Sequence, residues 1–164
     1  MGRFYKAIYG DWSGTANLTT TMDVFEIVAA SSTVVIIHEW ELLQINRYRD
    51  NGEEMLLFTT NRGIGSVTPG SGGVVGTFYQ LEASQPNAIS TVNCFNTTIM
   101  AVGSGTLTTD LECHVWNIRF PYKMIYIPEM RPIISPTNRW TLELESTPSA
   151  NITAKCSIII EEIV

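Results

Sequence analysis

Few residues in this chain have the type and spacing that chemistry requires. His38 and His114 are the two histidines, and each stands in the middle of an alternating, strand-like run. His38 alternates with Val34, Ile36, Trp40 and Leu42, and His114 with Glu112 and Trp116. A metal centre needs several ligands converging on one point. Neither histidine has a third ligand at a useful spacing, and the His-x-His pair of cupin-type barrels is missing. Both therefore read as structural side chains, and no metal is expected. Paired carboxylates offer a second chemistry, glycoside hydrolysis by an acid and its partner. Glu39 with Glu41, and Glu143 with Glu145, share strand faces because successive side chains of a strand alternate. Neighbours on one strand read more simply as a solvated or subunit-facing row.

Nucleophiles and phosphate cradles fare no better. There is no Gly-x-Ser-x-Gly elbow. Cys94, Cys113 and Cys156 form an odd set, and none sits in a reactive context. Cys156 alternates with apolar neighbours and Cys113 with Leu111 and Val115, so both read as small buried hydrophobes with free thiols. The stretch "NRGIGSVTPGSGGVVG", residues 61–76, is rich in glycine but lacks the Gly-Lys-Ser/Thr ending of a nucleotide loop. It reads as a long mobile loop, with a contact arm as the useful variant. No catalytic residue and no cofactor is expected, and the chain reads as a non-enzyme.

The elements that carry these residues are strands. Val, Ile, Thr and aromatic runs lie at 4–9, 23–30, 33–45, 54–60, 74–81, 97–102, 111–120 and 122–127, followed by a pair in "RWTLELESTPSANITAKCSIIIEEI". In that pair Trp140, Leu142 and Leu144 share one face against Thr141, Glu143 and Glu145. Ile152, Ala154, Cys156, Ile158 and Ile160 share another. The spacing predicts a terminal hairpin with one dry and one wet face, whose last strand inserts into a sheet and closes the domain. An Asn51-Gly52 pair signals a further turn. No segment has a capped 3.6-residue period, although Phe4 with Ile8, and Tyr5 with Tyr9, recur at four-residue steps and leave strand or helix open there. The fold expected is all-β, an antiparallel β-sandwich of about 8–10 strands in a jelly roll, with Trp40, Trp116 and Trp140 filling the space between sheets.

Bulk properties narrow the partners. The chain has 164 residues, enough for one domain with a core, 45% hydrophobic and 16% charged residues, and a net charge of −6. Low charge fits a surface held against neighbours, and an acidic chain without basic clusters argues against nucleic acid. No stretch reaches transmembrane length, so no membrane partner is expected. Residues 1–21 divide from a single domain over 22–164, and read either as an N-terminal arm or as an edge strand. They carry Phe4, Tyr5, Ile8, Tyr9 and Trp12, aromatic and apolar anchors suited to contact with another subunit or a capsid.

The order of features in "DVFEIVAASSTVVIIHEWELLQ" and "MIYIPEMRPIISPTNRWTLELESTPSANITAKCSIIIEEI", with Pro128, Glu129, Pro132 and Pro136 ahead of the terminal strands, resembles small jelly-roll proteins of tailed bacteriophages. The likeness runs from about Asp23 onward and is weakest over 61–93. It implies a virion protein of the capsid decoration, or cement, type. Such a protein is made in the host cytoplasm and seated as a homotrimer on the outer capsid surface, where it holds the major capsid protein. A tail-fibre or head-fibre adhesin binding host-surface glycan is the other role the likeness admits.

Overall fold

The computed structural model describes residues 2–10, 16–45 and 53–164; Trp12 and the Asn51-Gly52 pair lie outside them. The described strands are β1 (Arg3–Tyr9), β2 (Asn17–Leu18), β3 (Met22–Val28), β4 (Val34–Gln44), β5 (Met55–Ile64), β6 (Val74–Val75), β7 (Phe78–Gln80), β8 (Thr91–Asn96), β9 (Thr106–Asn117), β10 (Tyr122–Ile125), β11 (Ile133–Ile134), β12 (Arg139–Leu144) and β13 (Ile152–Ile163). A 3-10 turn covers Pro128–Met130.

These strands form two antiparallel sheets. One runs β10-β4-β13-β1-β7, with β11 beside β4 and β2 beside β13; the other runs β6-β8-β3-β12-β5-β9. The pairing is nested about one fold-back: β5 pairs β9, β4 pairs β10, β3 pairs β12, and β1 pairs β13. Apart from β5 to β9, consecutive members of this set lie in opposite sheets. That is the jelly-roll order expected from the sequence. The short strands extend its edges.

The core lies between the sheets. Trp40, Trp116 and Trp140 are all buried there, with Phe25, Phe58, Ile37 and Leu142. β13 supplies Ile152, Ala154, Cys156, Ile158 and Ile160, each fully buried, so its alternation faces the core as the spacing predicts. It runs between β4 and β1, so the chain's last strand does insert into a sheet.

Several expectations are corrected. β12 and β13 do not form a hairpin: β12 pairs β3 and β5 in one sheet, whereas β13 pairs β4 and β1 in the other. Residues 146–151 are a crossing between sheets, held by Leu57 N–H donating to Ser146 Oγ (2.8 Å) and Ser149 N–H donating to Glu54 (2.7 Å). The expected wet face of β12 is dry, since Thr141 and Glu143 are buried. Cys113 is exposed, because Leu111, Cys113 and Val115 point away from the core while His114 and Trp116 point inward. Residues 97–102 are not a strand; the strand signal belongs to 91–96, and Thr98 and Ala101 make isolated bridges only.

The Gly-rich stretch is not a free loop either. Residues 61–64 continue β5, and the rest runs antiparallel to 97–105 through the bridges Thr68–Ala101 and Ser71–Thr98. Gly70 must lack a side chain, since a Cβ there would come within 2.6 Å of Asn96 Nδ2 and 2.7 Å of Asp23 Oδ2.

Candidate functional site

β1 settles where the expected contact residues lie. It pairs with β13 along its whole length and with β7 beyond, so residues 3–9 are a strand of the sandwich. Tyr5 is buried, its hydroxyl donating to Pro86 O (2.9 Å), and Tyr9 packs on the core side against Phe95. Of the two readings of this segment, residues 3–9 take the strand within the sandwich, and Trp12 lies outside the described residues. Phe4 and Ile8 lie on the opposite face; Phe4 meets the His38 ring edge-on at 5.0 Å, and Ile8 is exposed.

The histidines are held in place by neighbours. His38 Nε2 lies 2.9 Å from Glu161 Oε2. It does not share a face with Trp40 and Leu42. A bulge opposite Ile159 and Ile160 inserts His38 as an extra residue, so Val35 and Ile37 before it, and Trp40 and Leu42 after it, all turn inward. His114 stacks its edge on Trp40 and places Nδ1 3.0 Å from the Tyr122 hydroxyl. Its Nε2 stands 3.5 Å from Glu112 Oε2, too long for a hydrogen bond but close enough for charge to matter. Glu39 is engaged by Lys123 at 2.9 Å. Among the described residues, no group of three or more His, Cys, Asp or Glu side chains could hold a metal ion.

A carboxylate group missed at the sequence level lies on the outer face of the second sheet, beneath the 65–76 and 97–105 segments. Asp23, Glu26 and Glu143 are all buried. Asp23 accepts from Met100 N–H (2.7 Å), and Glu26 accepts from Gly70 N–H (3.1 Å), Asn96 Nδ2 (2.8 Å) and Arg139 (2.5 Å). Glu143 accepts from Asn61 Nδ2 (2.5 Å). Burial pushes Asp23 up to about 8 and Glu143 up to about 7, each helped by neighbouring carboxylates. The group fastens two surface segments to the sheet. The signal that could have revealed it is a pair of acids, Asp23 and Glu26, inside an otherwise apolar run.

Two features face solvent with chemical or binding potential. The first is the side of the sandwich where β9 and β10 end their sheets. Among the described residues β9 pairs only with β5, and no described strand lies on the other flank of this twelve-residue strand. Leu111, Val115, Phe120, Ile125, Ile127 and Met130 are exposed along this side, an unusual accumulation of apolar surface. The second is a cleft of about 200 Å³ lined by Thr60, Arg62, Glu112, Glu129, Arg131 and Trp140. At its inner wall Glu112 accepts from the Tyr126 hydroxyl (2.5 Å) and Thr60 Oγ1 (3.4 Å), and Tyr126 in turn accepts from Trp40 Nε1 (3.2 Å). Burial works to raise the Glu112 pKa, but His114, Tyr126 and Thr60 outweigh it and hold the group below the usual range.

No helix among the described residues is long and apolar enough to cross a membrane, which says nothing of β-barrel proteins. In comparisons with known proteins, the chain matches no family model, no curated protein and no solved structure.

Proposed function

We propose that this chain is a structural virion protein of a tailed phage. In this reading it is a capsid decoration protein with no catalytic role, which seats as a homotrimer on the outer capsid surface and braces the major capsid protein. The observation that carries this reading is the open β9–β10 side. A long strand with an unsatisfied flank and a run of exposed apolar residues is a surface that proteins ordinarily cover. Covering it with another copy of the chain, or with a capsid subunit, would remove both liabilities at once. A net charge of −6 favours a place outside the shell, away from packaged nucleic acid.

This side adds to the contact expected of β1, where Ile8 remains exposed on the outer face. A second reading is an adhesin module for host-surface glycan, favoured by the polar cleft with Arg62, Arg131 and Trp140. Position separates the two. Mass spectrometry and electron microscopy of purified particles should find the chain distributed over the head in the first case. Copies confined to fibre tips would overturn the decoration reading.

A further inference from the structure

We propose that the cleft between β5, β9, β12 and the Pro128–Met130 turn is a binding site for a small hydroxylated carboxylate, either a free hydroxy acid or an acidic sugar at the end of a polysaccharide. Three observations carry it. Trp140 is 1% exposed and lines the cleft, yet its indole N–H has no acceptor among the described residues. Arg131, which also lines the cleft, likewise has a buried Nε donor without an acceptor among the described residues. Buried donors are nearly always satisfied, so two of them lining one cleft call for an acceptor supplied from outside. Finally, neither Arg62 nor Arg131 makes an ion pair among the described residues, whereas Arg139 is bound to Glu26 at 2.5 Å.

The lining also decides what kind of acceptor fits. Two guanidinium groups and one indole N–H suit a carboxylate, which accepts from a planar fork. Glu112 and Glu129 share the same cleft and oppose a multiply charged anion such as phosphate. Two arginines and two glutamates sum to no net charge, so a monoanion bearing hydroxyl donors satisfies both halves: its carboxylate meets the arginines and its hydroxyls meet Glu129. The wall is stiffened locally. Opposite Asn61 a bulge in β9 puts Asp110 at φ 55°, with its N–H donating to Asn61 Oδ1 at 3.0 Å. Bulges of this kind re-aim side chains beside binding sites.

Leu111 and Met130 belong both to the cleft and to the open apolar side, so the inference is tested on the dilute chain, where its readout is the Trp140 indole and not the mass of the particle. The test is a nitrogen-15 NMR titration of the full chain. Its four tryptophans give separate indole signals, and Trp140→Phe assigns the one in question. Glycerate, a monoanion with two hydroxyls, stands for the free hydroxy acid and methyl glucuronide for the chain end; methyl glucoside lacks the carboxylate and acetate lacks the hydroxyls. A saturable shift of the Trp140 signal with glycerate or methyl glucuronide is expected, the tighter of the two naming the source. Arg131→Gln and Arg62→Gln, with the other indole signals in place, should each weaken binding about tenfold or more. The proposal is overturned if neither hydroxylated carboxylate gives a saturable shift, or if methyl glucoside or acetate binds as tightly. Unchanged affinity in both arginine variants would overturn it too.

Discussion

Asp23 of β3 and Glu143 of β12 are direct cross-strand partners, two buried carboxylates side by side on the covered face of the second sheet. Unfolded, such acids ionise near pH 4. Folded, burial holds their protons to about 8 and about 7. Between about pH 4 and 8 the folded state therefore binds more protons than the unfolded, and stability must fall as pH rises. The stabilisation is complete below the unfolded pKa and gone once pH passes the folded values. Urea unfolding from pH 5 to 8.5 should show a loss of about 1–3 kcal/mol after allowance for relaxation. Asp23→Asn keeps an acceptor for Met100 N–H and should flatten most of that slope. A midpoint that does not move with pH in this window would show that the pair is not protonated in the fold.

β13 gives a sharper test of packing. Ile158 is fully buried, between Ala7 of β1 and Trp40 of β4 in the register. Ile158→Asp places an unpaired charge in the core and should cost several kcal/mol, enough to unfold a typical domain. Glu161→Gln on the other face keeps a partner for His38 and should cost under about 1 kcal/mol. Thermal melts of the two variants decide this, and equal small losses would mean the strand faces the wrong way.

β1 should prove indispensable to folding. Removing residues 2–9 takes Tyr5 and Ala7 from the core and strips β13 of a neighbour. The truncated chain is expected to be unfolded by circular dichroism. Tyr5→Phe isolates one contact, the hydroxyl bond to Pro86 O, and should cost about 1 kcal/mol in urea unfolding. A soluble, cooperatively folding truncation would return β1 to the role of a detachable arm.

Alternation was legible wherever a strand has one buried face, as in β13 and in Trp140, Leu142 and Leu144 of β12. It specifies a face and not a neighbour, so two adjacent strands read as a hairpin although they belong to different sheets. Phase errors arose where a bulge inserts one residue. His38 in β4 is the clear case, and a periodic pattern cannot announce it. The burial of Thr141 and Glu143 depends on segments far along the chain folding over them. Leu111, Cys113 and Val115 read as inward because they are apolar, yet in a strand at the end of a sheet such residues can equally await a partner. The cleft had no motif at all: residues 60, 62, 111, 112, 129–132 and 140 meet only through the jelly-roll crossing.

Cys113 offers a probe of the open side that leaves the fold intact. It is exposed on β9 between Leu111 and Val115, whereas Cys94 and Cys156 are buried. Burial pushes the Cys94 thiol up to about 12 and raises Cys156 well above its ordinary value, so neither presents a thiolate near neutrality. In the native dilute protein a thiol reagent should therefore modify Cys113 alone. If copies of the chain cover β9 in a homotrimer, labelling should slow as protein concentration rises, in step with the mass measured by light scattering. Val115→Lys and Phe120→Asp place charges where apolar side chains now face solvent. Such surface changes alter stability by only about 0.5 kcal/mol. They should nevertheless abolish both the trimer mass and the concentration dependence of labelling. A wild-type chain that remains a monomer at micromolar concentration, with Cys113 equally reactive throughout, would leave the β9–β10 side to a capsid subunit and remove self-association from the reading.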